Sequence, residues 1–61
     1  MKIILIDNFN RESVSDILIA ENAQPHYANL IIEKLNQDLH NDSPYFYKTV
    51  KNEYKLYEFQ P

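Results

Sequence analysis

The sequence predicts a small α+β fold: a three- or four-stranded antiparallel sheet in the order β-β-α-β, with one helix packed on one face. Three observations predict it. A continuous apolar run opens the chain at Lys2-Ile3-Ile4-Leu5-Ile6-Asp7. A stretch from Pro25 to about residue 40 carries apolar residues at helical spacing. A third run, Tyr45 to Val50, alternates with period two and is rich in aromatic and β-branched residues.

The first run is short and isoleucine-rich, which predicts a strand buried on both faces and therefore central in its sheet. Asp7-Asn8-Phe9-Asn10-Arg11-Glu12 follows with turn chemistry, since Asn and Asp bond their own backbone and tolerate left-handed geometry. The chain has no glycine, so its asparagines are expected to supply most positive-φ positions. Val14 to Asn22 reads two ways. As a strand, Ser15, Ile17 and Ile19 face one side, and Asp16, Leu18 and Ala20 the other; as a helix, Val14, Ile17, Leu18 and Glu21 share a stripe. The Ile-Leu-Ile centre and the short length favour the strand.

Pro25 suits the first helical position, where a missing N–H costs nothing. Ala28, Ile31, Ile32, Leu35 and Leu39 form the expected apolar stripe, with Asn29, Glu33, Asn36, Gln37 and His40 largely outside it. His40-Asn41-Asp42-Ser43-Pro44 then breaks the helix. After the strand Tyr45–Val50, Lys51-Asn52-Glu53 resembles a turn, and Tyr54 to Phe59 a last short strand or an extended tail.

Sixty-one residues make a single domain, 1–61. A chain of this length buries only about 60% of the surface it exposes when unfolded, so its core is marginal. Such scaffolds add a disulfide, a metal or a partner chain. Cysteine is absent, which removes disulfides and thiolate metal sites; a homodimer is the expected state, and the alternative is a stable monomer, since many domains of this size fold alone. His26 and His40, if both on one helix, stand roughly 21 Å apart by helical rise and cannot share a metal within one chain. No metal and no cofactor is expected.

The formal charge of −3, with acids spread along the chain, argues against an extended nucleic-acid surface. The apolar opening meets Asp7 too early for a signal peptide, and no stretch approaches a membrane span. The absence of glycine excludes P-loops and dinucleotide-binding turns. Ser13, Ser15 and Ser43 have no spacing relation to a histidine and an aspartate that indicates a nucleophile, so the chain is not expected to be an enzyme.

The feature that asks for a function is the end of the chain. Six of its eight aromatic residues lie in the last seventeen positions, interleaved with Lys48, Lys51 and Lys55. Alternation puts Tyr45, Tyr47 and Thr49 on one side and Phe46, Lys48 and Val50 on the other. Tyrosines stack on bases and dominate protein interfaces, and lysines hold phosphates as point charges. Arg11, the sole arginine, suits a phosphate or carboxylate. The candidate ligand-binding set is Asn8, Arg11, Tyr45, Tyr47, Lys48, Lys51, Lys55 and Tyr57. The plainer reading is a sheet edge, with tyrosines packed under the helix and lysines guarding against edge-to-edge pairing.

At Ile6-Asp7-Asn8-Phe9-Asn10-Arg11-Glu12, Leu18-Ile19-Ala20-Glu21-Asn22 and Tyr45-Phe46-Tyr47-Lys48-Thr49-Val50 the chain resembles small uncharacterised proteins encoded by phages and prophages of Gram-positive bacteria. The resemblance runs nearly end to end, with departures at Gln24-Pro25 and at Lys51. It transfers no catalytic or binding residue. It implies a small protein of the bacterial cytoplasm that occupies something belonging to the host. The expectation is a dimeric counter-defence sponge sequestering a nucleotide-derived immune signal, since that accounts for interleaved Tyr and Lys despite a net negative charge; the alternative is an inhibitor that binds a host or defence protein through its C-terminal aromatic face. A structural or accessory folding unit is a third, plainer class.

Overall fold

The computed structural model describes residues 1–9, 13–39 and 43–60 of the chain. It is an α+β fold with the elements β1 (Lys2–Asp7), β2 (Ile17–Ala20), α1 (Pro25–Gln37) and β3 (Tyr45–Val50). The strands form one antiparallel sheet in the order β2-β1-β3. The opening isoleucine run is the central strand, as its uninterrupted apolar character predicts. Ile3 and Ile4 point to opposite faces of the sheet, and both are fully buried. Both faces of β1 are therefore covered. Ile6 and Ala28 complete the buried apolar core, and burying each of the isoleucines contributes about 1.5–3 kcal/mol.

β3 pairs with β1 along its whole length, from Lys2 opposite Val50 to Asp7 opposite Tyr45. The segment Val14 to Asn22 forms a strand, as its Ile-Leu-Ile centre predicts, and β2 covers only that centre, Ile17–Ala20. Ile17 lies opposite Leu5 and Leu18 opposite Ile4, and a bulge then brings Ala20 opposite Ile3. Asn22 follows with φ of 60°, so an asparagine supplies the left-handed turn that a glycine usually makes. Ala23 and Met1 then exchange backbone bonds, Ala23 N–H to Met1 O at 2.9 Å and the Met1 ammonium to Ala23 O at 2.6 Å.

α1 starts at Pro25 with Gln24 as an N-cap whose side chain makes no capping bond. It stops at Gln37, about three residues before the expected end. Asp38 and Leu39 donate to the carbonyls of Leu35 and Asn36, three residues back, so the last turn tightens. The helix packs mainly on β3 and less on β1. Its stripe is rotated from the expected one: Ala28 is buried and Ile32, Leu35 and Leu39 are partly covered, but Ile31 is 44% exposed beside Tyr27 and Leu30. The cause is Asn36. Its side-chain amide accepts from Tyr47 N–H at 2.8 Å and donates to Tyr47 O at 3.1 Å. An amide presenting one donor and one acceptor stands in for a neighbouring strand residue, and it turns the Asn36 side of the helix toward β3.

After β3, Tyr54 N–H closes a turn on Lys51 O at 3.0 Å. The remainder is an extended segment and not a fourth strand. It leaves β3 beside Lys2, whose ammonium donates to Tyr54 O at 3.2 Å, and reaches Asp16 just ahead of β2. Since β1 lies between β3 and β2, the segment crosses the central strand to get there.

Candidate functional site

The end of the sheet where β1 finishes and both β2 and β3 begin is built from three separate stretches of chain. At β1, the buried Asp7 accepts from Phe9 N–H through Oδ1 at 2.9 Å, the local turn that aspartate favours. Asn8 N–H donates to Pro44 O at 2.6 Å, which fastens this loop to the entrance of β3. Tyr45 stands opposite Asp7, and its N–H donates to Ser43 Oγ at 3.1 Å. Phe9 is left 73% exposed and Tyr45 43%.

The C-terminal segment completes this end, and Asp16 holds it there. Asp16 N–H donates to Tyr57 O at 2.9 Å, while its Oδ2 accepts from Tyr57 N–H at 3.0 Å and Tyr54 Oη at 3.2 Å. Phe59 N–H donates to Ser15 Oγ at 2.8 Å. Ile17 lies opposite Leu5, so Asp16 sits level with Ile6 and Phe46. Tyr57 and Phe59, both exposed, are thereby returned to the end of the sheet that carries Phe9 and Tyr45. Hydrogen bonds to a carboxylate contribute about 1.5–3 kcal/mol each, enough to fix an otherwise extended segment.

The eight candidate ligand-binding residues separate into groups. Asn8, Tyr45 and Tyr57 lie at this aromatic end. Tyr47 is in mid-strand, partly covered, with its backbone held by Asn36. Lys48 is exposed on the opposite face of β3 from Tyr45 and Tyr47, as the alternation requires. Lys51 lies just beyond the far end of β3, about 20 Å along the strand from Tyr45 at ~3.4 Å per residue. Lys55 sits on the crossing segment, and Arg11 lies outside the described residues. Of this set only Asn8, Tyr45 and Tyr57 come together at one end; Tyr47 and the three lysines lie along the strand and beyond it.

Three residues of this end lie outside the candidate set: Phe9, Asp16 and Phe59. Phe59 is visible only as a member of the aromatic run, and Asp16 has no local sign that its carboxylate meets residues some forty positions away. Phe9 had a visible signal: it is a lone aromatic ring among turn formers. Ser15 and Ser43 use their hydroxyls on backbone groups. His26 packs edge-on against Tyr27, with ring centroids 5.3 Å apart, and His40 lies outside the described residues. Among the described residues no group of three or more His, Cys, Asp or Glu side chains is placed to hold a metal ion, and no helix is long and apolar enough to cross a membrane. Comparison with protein-family models, curated proteins and solved structures finds no match to this chain.

Proposed function

We propose that this chain is a non-enzymatic binding protein whose working surface is the aromatic end of its sheet, and that its partner is another protein. The observation that carries the reading is the gathering of Phe9, Tyr45, Tyr57 and Phe59, all exposed, from three stretches of chain onto one end. Aromatic residues give large contact area at low entropic cost and anchor protein interfaces. A backbone fixed by Asp16 and by the Asn8–Pro44 bond holds them in place before a partner arrives, which lowers the ordering cost of binding. In the phage setting that the sequence resembles, the partner is a host or defence protein in the bacterial cytoplasm, and binding inhibits it.

The nucleotide sponge is the second reading. It is favoured by one observation: Lys48, Lys51 and Lys55 are all solvent-exposed and accessible to phosphate. Since Tyr45 and Lys51 stand at opposite ends of β3, a pocket that joins them would draw on two copies. Native mass spectrometry of the protein isolated from its host separates the two readings. A bound polypeptide that is lost in the Tyr45→Ala and Tyr57→Ala variants supports the protein-binding reading. A stoichiometric added mass in the nucleotide range, lost in Lys48→Ala but kept in Tyr57→Ala, overturns it in favour of the sponge.

A further inference from the structure

The two outer edges of the sheet are treated differently. At β3 the Asn36 amide occupies the N–H and C=O of Tyr47, the exposed Lys48 follows, and Pro44 lies just ahead of the strand. These are the devices by which natural sheets prevent edge-to-edge pairing. β2 carries no side-chain cap, lysine or proline; among the described residues its protection is limited to its four-residue length and the bulge at Ile3 and Ile4. Its four residues, Ile17-Leu18-Ile19-Ala20, include no charge and no proline, and no strand lies beyond them among the described residues. Successive residues point to opposite faces, yet Ile17, Leu18 and Ile19 are 51%, 43% and 44% exposed. These apolar side chains are half open to water, and beyond Asp16, where the C-terminal segment is bonded, no strand continues the sheet among the described residues.

We propose that the sheet is continued by β2 of a second copy of the chain, paired antiparallel about a two-fold axis to give one continuous six-stranded sheet. The surface area supports a second copy. The chain exposes 4748 Å², against about 4,200 Å² expected for a folded monomer of 7.3 kDa. That excess of roughly 550 Å² belongs to the whole chain, and the half-exposed Ile17, Leu18 and Ile19 are part of it. Charge also allows self-pairing, because an uncharged strand meets its own copy without repulsion. The capped β3 edge decides the size of the assembly. With one edge blocked, pairing through the other closes on itself, so the product is a dimer and not a filament. The symmetry adds a register condition. A two-fold axis normal to the sheet places one residue opposite its own copy, and in a strand this short that residue is Leu18 or Ile19.

This inference deepens only the dimeric part of the second reading above and does not depend on the ligand. Because the chain has no cysteine, a single introduced thiol reports one contact. Leu18→Cys, Ile19→Cys and, as a helix control, Leu30→Cys are each oxidised at a protein concentration of about 100 µM, beside sedimentation equilibrium of the unmodified chain. The expected result is a dimer that Ile19→Lys weakens at least about tenfold, with efficient cross-linking at Leu18→Cys or Ile19→Cys and none at Leu30→Cys. Circular dichroism of Ile19→Lys checks that its fold is kept, and the thiol result stands independently of that variant. A chain monomeric at that concentration, or one cross-linked through Leu30→Cys alone, overturns the proposal. A β2-linked dimer that takes up no nucleotide leaves it standing and removes the sponge, whereas nucleotide uptake by a monomer does the reverse.

Discussion

β1 and β2 are nearly the same peptide in two places. Ile3-Ile4-Leu5-Ile6 and Ile17-Leu18-Ile19 share composition, branching and length class, and they are hydrogen-bonded neighbours. Yet Ile3, Ile4 and Ile6 are 0–3% exposed, while the three β2 residues are 43–51% exposed. Side-chain chemistry cannot account for the difference. β1 has a strand on each side and is covered on both faces, whereas among the described residues β2 has a strand on one side only. Hydrophobic stabilisation scales with the area removed from water, so equal residues contribute unequally according to what surrounds them. The same contrast holds in the helix, where Ala28 is buried and Ile31 is not, because the Asn36 bonds to β3 set the rotation.

The widest gap between the two strands is expected for truncation. Ile4→Ala removes a fully buried side chain and should cost about 2–5 kcal/mol. Leu18→Ala should cost under about 1 kcal/mol in urea unfolding at a concentration where the chain is monomeric. Equal costs would break the comparison. A smaller effect is expected from Asp16→Ala, which frees the C-terminal segment from the start of β2 at about 1.5–3 kcal/mol. Hydrogen exchange should then quicken at residues 54–59 and in β2 while β1 remains protected; uniform quickening would show that the strands share one cooperative unit.

Asn36→Ala sharpens the contrast from the other edge. It leaves Tyr47 N–H and C=O without the amide, costing about 1–2 kcal/mol. It also makes β3 resemble β2, so light scattering should report species larger than a dimer; an unchanged mass would show that the cap does not limit assembly. The smallest effect belongs to Tyr45→Ala. Its ring is exposed, so stability should change by no more than about 0.5 kcal/mol while partner capture is lost. Retained capture would remove this ring from the working surface.

Much of the fold was legible along the chain. The unbroken apolar run of β1 required burial on both sides, and the alternation of β3 appeared residue for residue. Pro25 marked the start of the helix, and an asparagine took the left-handed turn in a chain without glycine. The candidate site was legible only as a composition. Tyr45 and Tyr57 were visible as part of an aromatic run, but nothing local separated them from Tyr54, whose hydroxyl is used on Asp16, or from Tyr47, whose backbone is held by the helix.

What the sequence by itself determined is which segments become strands or helix, because period, capping and turn chemistry act over a few neighbouring residues. Tertiary structure alone decided which isoleucines are core, which face of the helix is wet, and which aromatics lie toward one end of the sheet. Each of those outcomes depends on a contact between residues far apart in the chain: Asn36 with Tyr47, Asp7 with Tyr45, and Asp16 with Tyr57. Burial and proximity are properties of those long-range pairs, and no local pattern encodes them.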